Sequence, residues 1–134
     1  ADIQTGMKMI ESIVKAVQAG PQWASTAILI TYDEGGGFFD HIAPTQLDGF
    51  GPGIRVPMII VSPYAKTGYV DTTFSDHGSV LKFIEHVFAL PTLASINTRF
   101  NSGTPNVGQG GGKPFPPRDG NPATSNLTQC FTFG

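Results

Sequence analysis

Cysteine is nearly absent: Cys130 is the only one in 134 residues, which excludes an internal disulfide framework and any zinc site built from several thiolates. Charge is sparse as well. Asp, Glu, Lys and Arg make up 13% of the chain, and 8 basic against 10 acidic residues leave a formal charge of -2, too balanced for binding to a phosphate backbone. Nucleic acid is not an expected partner. No apolar run nears the roughly 20 residues of a membrane-spanning helix, so no transmembrane segment is expected. The opening Ala1-Asp2-Ile3-Gln4-Thr5-Gly6 has no basic stretch followed by an apolar one, so it is not an export signal. There is no internal repeat and no charge run longer than Asp33-Glu34.

What the chain does have is a 40% apolar content, enough for the core of one compact domain. Seven of the 17 Gly and five of the 11 Pro fall in residues 101–134. Residues 1–100 therefore read as the folded body, and 101–134 as an irregular tail. Phe115, Phe131 and Phe133 in that tail argue that it packs on the same domain, because disordered segments are poor in aromatics.

In the body, Ile10, Ile13, Val14 and Val17 form one stripe of an amphipathic helix that Gly20-Pro21 ends. Ala27–Tyr32 and Pro57–Ser62 are short runs rich in β-branched residues without polar alternation, the pattern of strands covered on both faces. Val80, Leu81, Ile84, Val87 and Phe88 mark a second helix, with Ser75 or Asp76 as N-cap and Pro91 beyond its end. Two such strands flanked by helices indicate an α/β layer architecture with a largely parallel sheet. Such sheets carry their chemistry in loops beyond the carboxyl ends of the strands.

Asp33-Glu34-Gly35-Gly36-Gly37 stands at that place. Two carboxylates there are costly to leave unpartnered, and three glycines let the backbone turn sharply so that both converge. A hard divalent cation would satisfy them, with calcium, magnesium and manganese suited to oxygen ligands and zinc also bound by carboxylates. An ordinary acidic, glycine-rich turn fits the local pattern equally.

The longer stretch Trp23–His41, containing Thr31-Tyr32-Asp33-Glu34-Gly35-Gly36-Gly37-Phe38-Phe39-Asp40-His41, resembles the core signature of the bacterial phosphoesterase family of phospholipases C and acid phosphatases. Phe50–Tyr64 is similar to that family's next strand, Asp76–Glu85 to its following helix, and Asn126–Phe133 to its closing segment. The resemblance implies the C-terminal portion of an alkaline-phosphatase-like α/β fold, a layered sheet with helices on both faces. It also implies metal-dependent hydrolysis of a phosphate ester or phospholipid. Asp33 and Glu34 then become metal ligands, and a hydroxyl nucleophile attacks phosphorus before water hydrolyses the phosphoenzyme.

That family's Glu-Asn metal ligands and its Ser or Thr nucleophile belong to an upstream half that these 134 residues do not contain. The expected partner is that half of the same protein, or a second chain, and the expected location, periplasmic or secreted, is implied by the resemblance alone. Should residues 1–134 prove active alone, the nucleophile is to be sought among Ser62, Thr67, Ser75 and Ser79.

His41, next to Asp40, is a candidate general acid. His77, in Ser75-Asp76-His77-Gly78, matches a sulfatase metal turn by its letters, but Gly68–Phe74 before it is no buried strand, so capping is the default. Asp76 and His77 stay candidates because a helix N-terminus facing the site could orient a ligand or a phosphate. Arg55 reads first as an ordinary surface residue, with pairing to an acid or to a substrate phosphate as the functional alternatives. His86 reads as structural or surface, and the Asn126-Leu127-Thr128 triplet as chance. Two other classes fit the same residues: a noncatalytic binding fragment that keeps the fold, and a sulfatase-like or phosphomutase-like enzyme.

Overall fold

A computed structural model of the chain describes residues 2–48, 51–96 and 117–133. Helix α1 (Ile3–Gln18) starts where Asp2 accepts the Gln4 N–H at 3.0 Å and the Thr5 hydroxyl at 2.8 Å, satisfying first-turn donors. Its stripe is only partly covered, with Ile10 43% and Ile13 49% exposed.

Strands β1 (Ile28–Thr31) and β2 (Met58–Val61) lie where the β-branched runs place them. Their pairing is antiparallel, with Leu29 opposite Ile60 and Thr31 opposite Met58. The expected parallel relation therefore does not hold for this pair. A parallel pairing needs a crossover, usually helical, to carry the chain back; the described residues between β1 and β2 contain no helix or strand. The two faces also differ. Leu29, Met58 and Ile60 pack on the core, whereas Ile59, pointing the other way, is 58% exposed.

Helix α2 (His77–Val87) is capped by Asp76 rather than Ser75: the Asp76 N–H donates to Ser79 Oγ at 3.1 Å, and the Ser79 N–H donates to the Asp76 carbonyl at 2.9 Å. Its buried face differs from the expected stripe. Ser79, Phe83 and Glu85 are buried, while Ile84, Val87 and Phe88 are exposed. The reason is what docks there. Phe83 stacks on Phe131 with ring centroids 4.7 Å apart, and Leu127 and Cys130 close the same core. A short helix α3 (Leu93–Ile96) follows.

Residues 117–133 lie across this body. Lys82 Nζ donates to the carbonyls of Asn121 and Thr124, both at 2.7 Å. Ala65 forms a bridge with Phe131, flanked by Lys66 N–H to the Cys130 carbonyl at 2.9 Å. Phe133 stacks on Phe131 at 5.3 Å but is itself half exposed. Phe50 and Phe115 lie outside the described residues. Among the described residues no helix is long and apolar enough to cross a membrane.

Candidate functional site

At the carboxyl end of β1 the chain borders a cavity of about 1140 Å³, walled by Asp33, Glu34, Ile54, Asp71, Asp76 and His77 among others. The acidic turn is built by its glycines. Gly36 and Gly37 take φ of 62° and 78°, and the Phe38 N–H donates back to the Gly35 carbonyl at 3.1 Å. Successive left-handed central residues favour glycine at both places. A Cβ on Gly35 would collide with the Ile54 side chain, so the loop before β2 presses directly on the turn. Asp33 and Glu34 are exposed to the crevice side, and Asp33 Oδ1 accepts the Glu34 N–H at 3.1 Å.

His77, the first residue of α2, arrives from the other flank. Its Nε2 lies 3.0 Å from the Tyr32 carbonyl oxygen. A carbonyl only accepts, so Nε2 carries a proton, and Nδ1 is the ring nitrogen this bond leaves over. Asp76 beside it is buried, its side chain 4% exposed. One carboxylate oxygen meets Arg118 Nη1 at 3.4 Å, and the other, Oδ1, has no hydrogen-bond partner.

Asp40 and Arg55 hold each other. Arg55 donates Nε to Asp40 Oδ2 at 2.7 Å and Nη2 to Oδ1 at 2.8 Å, and its backbone N–H adds a third bond at 3.2 Å. This guanidinium, with the Ile42 N–H, holds the Asp40 carboxyl well below the usual carboxylate range. Arg55 is at the surface, its side chain 62% exposed, and of its two functional readings it takes the acid. His41 points outward with 81% of its side chain exposed, its Nδ1 3.8 Å from Asp40 Oδ1. The structure thus brings Asp33, Glu34, Asp76 and His77 to one crevice and leaves His41 outside its wall.

Asp33 and Glu34 meet only part of what a cation needs. Two carboxylates give a hard oxygen set, the right chemistry for calcium or magnesium, but fall short of the six to eight oxygens of calcium or the four ligands of zinc. Among the described residues no three His, Cys, Asp or Glu side chains gather to hold an ion. These residues do not by themselves make a metal site.

Arg118 escaped sequence reasoning. It donates Nε to Asp48 Oδ2 at 2.9 Å, Nη2 to Asp48 Oδ1 at 3.2 Å and Nη2 to the Gly51 carbonyl at 2.9 Å. Nothing local marks an Arg after a double proline as a partner for an acid so far away in sequence. Cys130 is buried beside Asp71, with Sγ 3.6 Å from Oδ2. Burial, and then that carboxylate, push its thiol up to about 11, which favours the protonated form at neutral pH.

The profile of the Phosphoesterase family matches residues 1–91. The chain is 36% identical over 76% of its length to the non-hemolytic phospholipase C of Burkholderia pseudomallei, covering 17% of that protein. It is 29% identical over 83% of its length to the non-hemolytic phospholipase C of Pseudomonas aeruginosa, covering 21% of it. A non-specific phospholipase C of Arabidopsis thaliana is 37% identical over 52% of the chain, which covers 16% of that relative. The chain therefore spans about a fifth of the length of the curated relatives it matches. No solved structure matches it.

Proposed function

The chain belongs to the phosphoesterase family, and from that premise we propose that it is part of a metal-dependent hydrolase of phosphoric esters, of phospholipase C or acid phosphatase type. The observation that carries the reading is the meeting of His77 with the end of β1: its Nε2–H bonds the carbonyl of Tyr32, the residue before Asp33-Glu34, and His77, Asp33 and Glu34 line the same cavity. In this reading Asp33 and Glu34 supply two ligands of a divalent cation, which would polarise the phosphoryl oxygens. The remaining ligands and the nucleophile come from an upstream half of the same protein or a second chain. His77 holds or moves a proton at Nδ1, and His41 stands outside the crevice wall. An alkaline-phosphatase-like layered sheet covers the exposed face of β2 around Ile59 once the other strands are present. The substrate is a phosphate ester, a phospholipid for the phospholipase C type, and the location is periplasmic or secreted.

The test is hydrolysis by the full-length protein of p-nitrophenyl phosphorylcholine, a phosphodiester, and p-nitrophenyl phosphate, a monoester. Turnover of either that disappears with a chelator and returns with one divalent cation is the expected result. A full-length protein that cleaves neither ester overturns the reading. Residues 1–134 alone are expected to be inactive.

A further inference from the structure

The acidic turn is held from two sides, and both sides lead to one side chain. On one side, Ile54 covers Gly35, and Ile54 follows directly on Gly51-Pro52-Gly53. Gly51 is fixed by the Arg118 Nη2–H to its carbonyl at 2.9 Å, with the bidentate Arg118–Asp48 pair three residues earlier. On the other side, Asp76 caps α2 and sets where His77 begins, and Asp76 Oδ2 takes Arg118 Nη1. Arg118 therefore spends four donor contacts on two segments that flank the turn from opposite sides.

Its geometry suits that role better than any other cation would. The planar fork reaches both oxygens of Asp48 along one edge while the remaining nitrogen faces Asp76, a pattern that a Lys ammonium, a single point charge, cannot reproduce. The pairing is also sheltered. The side chains of Arg118, Asp48 and Asp76 are 27%, 14% and 4% exposed, so solvent screens it far less than a surface ion pair. Arg118 lies beyond residue 91, where the family match ends.

We propose that Arg118 is a positioning residue for the site: it clamps Asp48 and the 51–54 stretch to the Asp76 cap of α2, and so fixes the Asp33-Glu34 turn and the His77 imidazole in one relative geometry. This role rests on the functional reading above. The side-chain hydrogen bonds of Arg118 go to Asp48, Gly51 and Asp76, and it acts through them. Small displacements of reacting groups cost rate more than binding, so the loss belongs in kcat.

The experiment uses the full-length protein with Arg118→Lys and, as the harsher change, Arg118→Ala. Expected in Arg118→Lys is a kcat for p-nitrophenyl phosphorylcholine lower by about tenfold to a hundredfold, with KM within about twofold and no rescue by the retained charge. Hydrogen exchange followed by mass spectrometry is expected to speed up in both 51–56 and 76–80. A purely local structural role would confine faster exchange to the neighbourhood of residue 118 and leave kcat intact in Arg118→Lys; that result overturns the proposal. If the wild-type protein hydrolyses neither ester, the functional reading falls, and the exchange arm still decides the clamp. Faster exchange on both flanks supports it, and faster exchange on one flank or neither overturns it.

Discussion

His77 Nε2 and the carbonyl oxygen of Tyr32 lie 3.0 Å apart, joining the first residue of α2 to the residue before Asp33. Because that bond occupies Nε2, Nδ1 is the nitrogen left for chemistry. His77→Ala is expected to lower turnover of a phosphodiester by about a hundredfold or more, the range of a lost general acid or base. His41→Ala, whose imidazole is 81% exposed, should lower it less and leave the cation content unchanged. Steady-state kinetics on both variants decide the matter, and a wild-type rate in His77→Ala would reduce the residue to a structural bond.

Asp33→Ala should remove divalent-cation binding from the full-length protein while leaving its melting temperature nearly unchanged. Asp33 is exposed and its one described hydrogen bond is to the neighbouring Glu34 N–H, so few packing contacts are lost. Calorimetric titration with calcium, magnesium, manganese and zinc reads this directly. Undiminished affinity for every one of them would remove Asp33 from the ligand set.

Phe131→Ala should cost about 3–5 kcal/mol, the range for deleting a buried aromatic. Phe131 is 5% exposed and stacked between Phe83 and Phe133, so the lost area cannot be refilled by a neighbour from water. Denaturant unfolding measures the loss, and limited proteolysis should show new cleavage between residues 117 and 133. Wild-type resistance there would mean that the tail is held by its polar bonds rather than by this ring.

Glu85 and Asp119 are buried against each other, 5% and 1% exposed, with Glu85 Oε2 and Asp119 Oδ1 lacking other partners. Burial pushes the Glu85 carboxyl up, and the Asp119 charge adds to the effect, against the Leu93 N–H and Lys82. A carboxyl raised in the folded state contributes its stability in full below the ordinary glutamate range, and loses it as pH rises through the raised value. In Glu85→Gln the amide donates where the proton did at every pH. Its melting temperature should therefore fall less than the wild type's as pH rises above that range. Parallel curves would show that the Glu85 carboxyl is not raised by its burial.

Gly78→Ala should destabilise, against the usual gain of about 0.5–1 kcal/mol for replacing a helical glycine. A Cβ there would stand 3.0 Å from Asp76 Oδ1 and 3.2 Å from Arg118 Cβ. Both neighbours are held by the same ion pair, so the overpacking cost of about 1–3 kcal/mol wins. A raised melting temperature would show that the Arg118–Asp76 contact yields easily.

The sequence alone determined the local features, because each has a local cause. The β-branched runs set β1 and β2, Gly20-Pro21 closed α1, and the glycines after Glu34 made the turn. The family was legible for the same reason, since its signature is contiguous along residues 23–41. What only the tertiary structure decided depends on partners distant in sequence. Strand direction depends on how residues 32–57 return the chain, and composition does not encode that path. The buried face of α2 was chosen by Phe131 and Leu127 rather than by its own stripe, because burial follows whichever surface arrives. Arg118 and Asp48 meet across 70 positions, and His77 reaches Tyr32 across 45. A charge or an imidazole has no periodicity that announces its partner, so folding had to bring these groups together before their chemistry could be read.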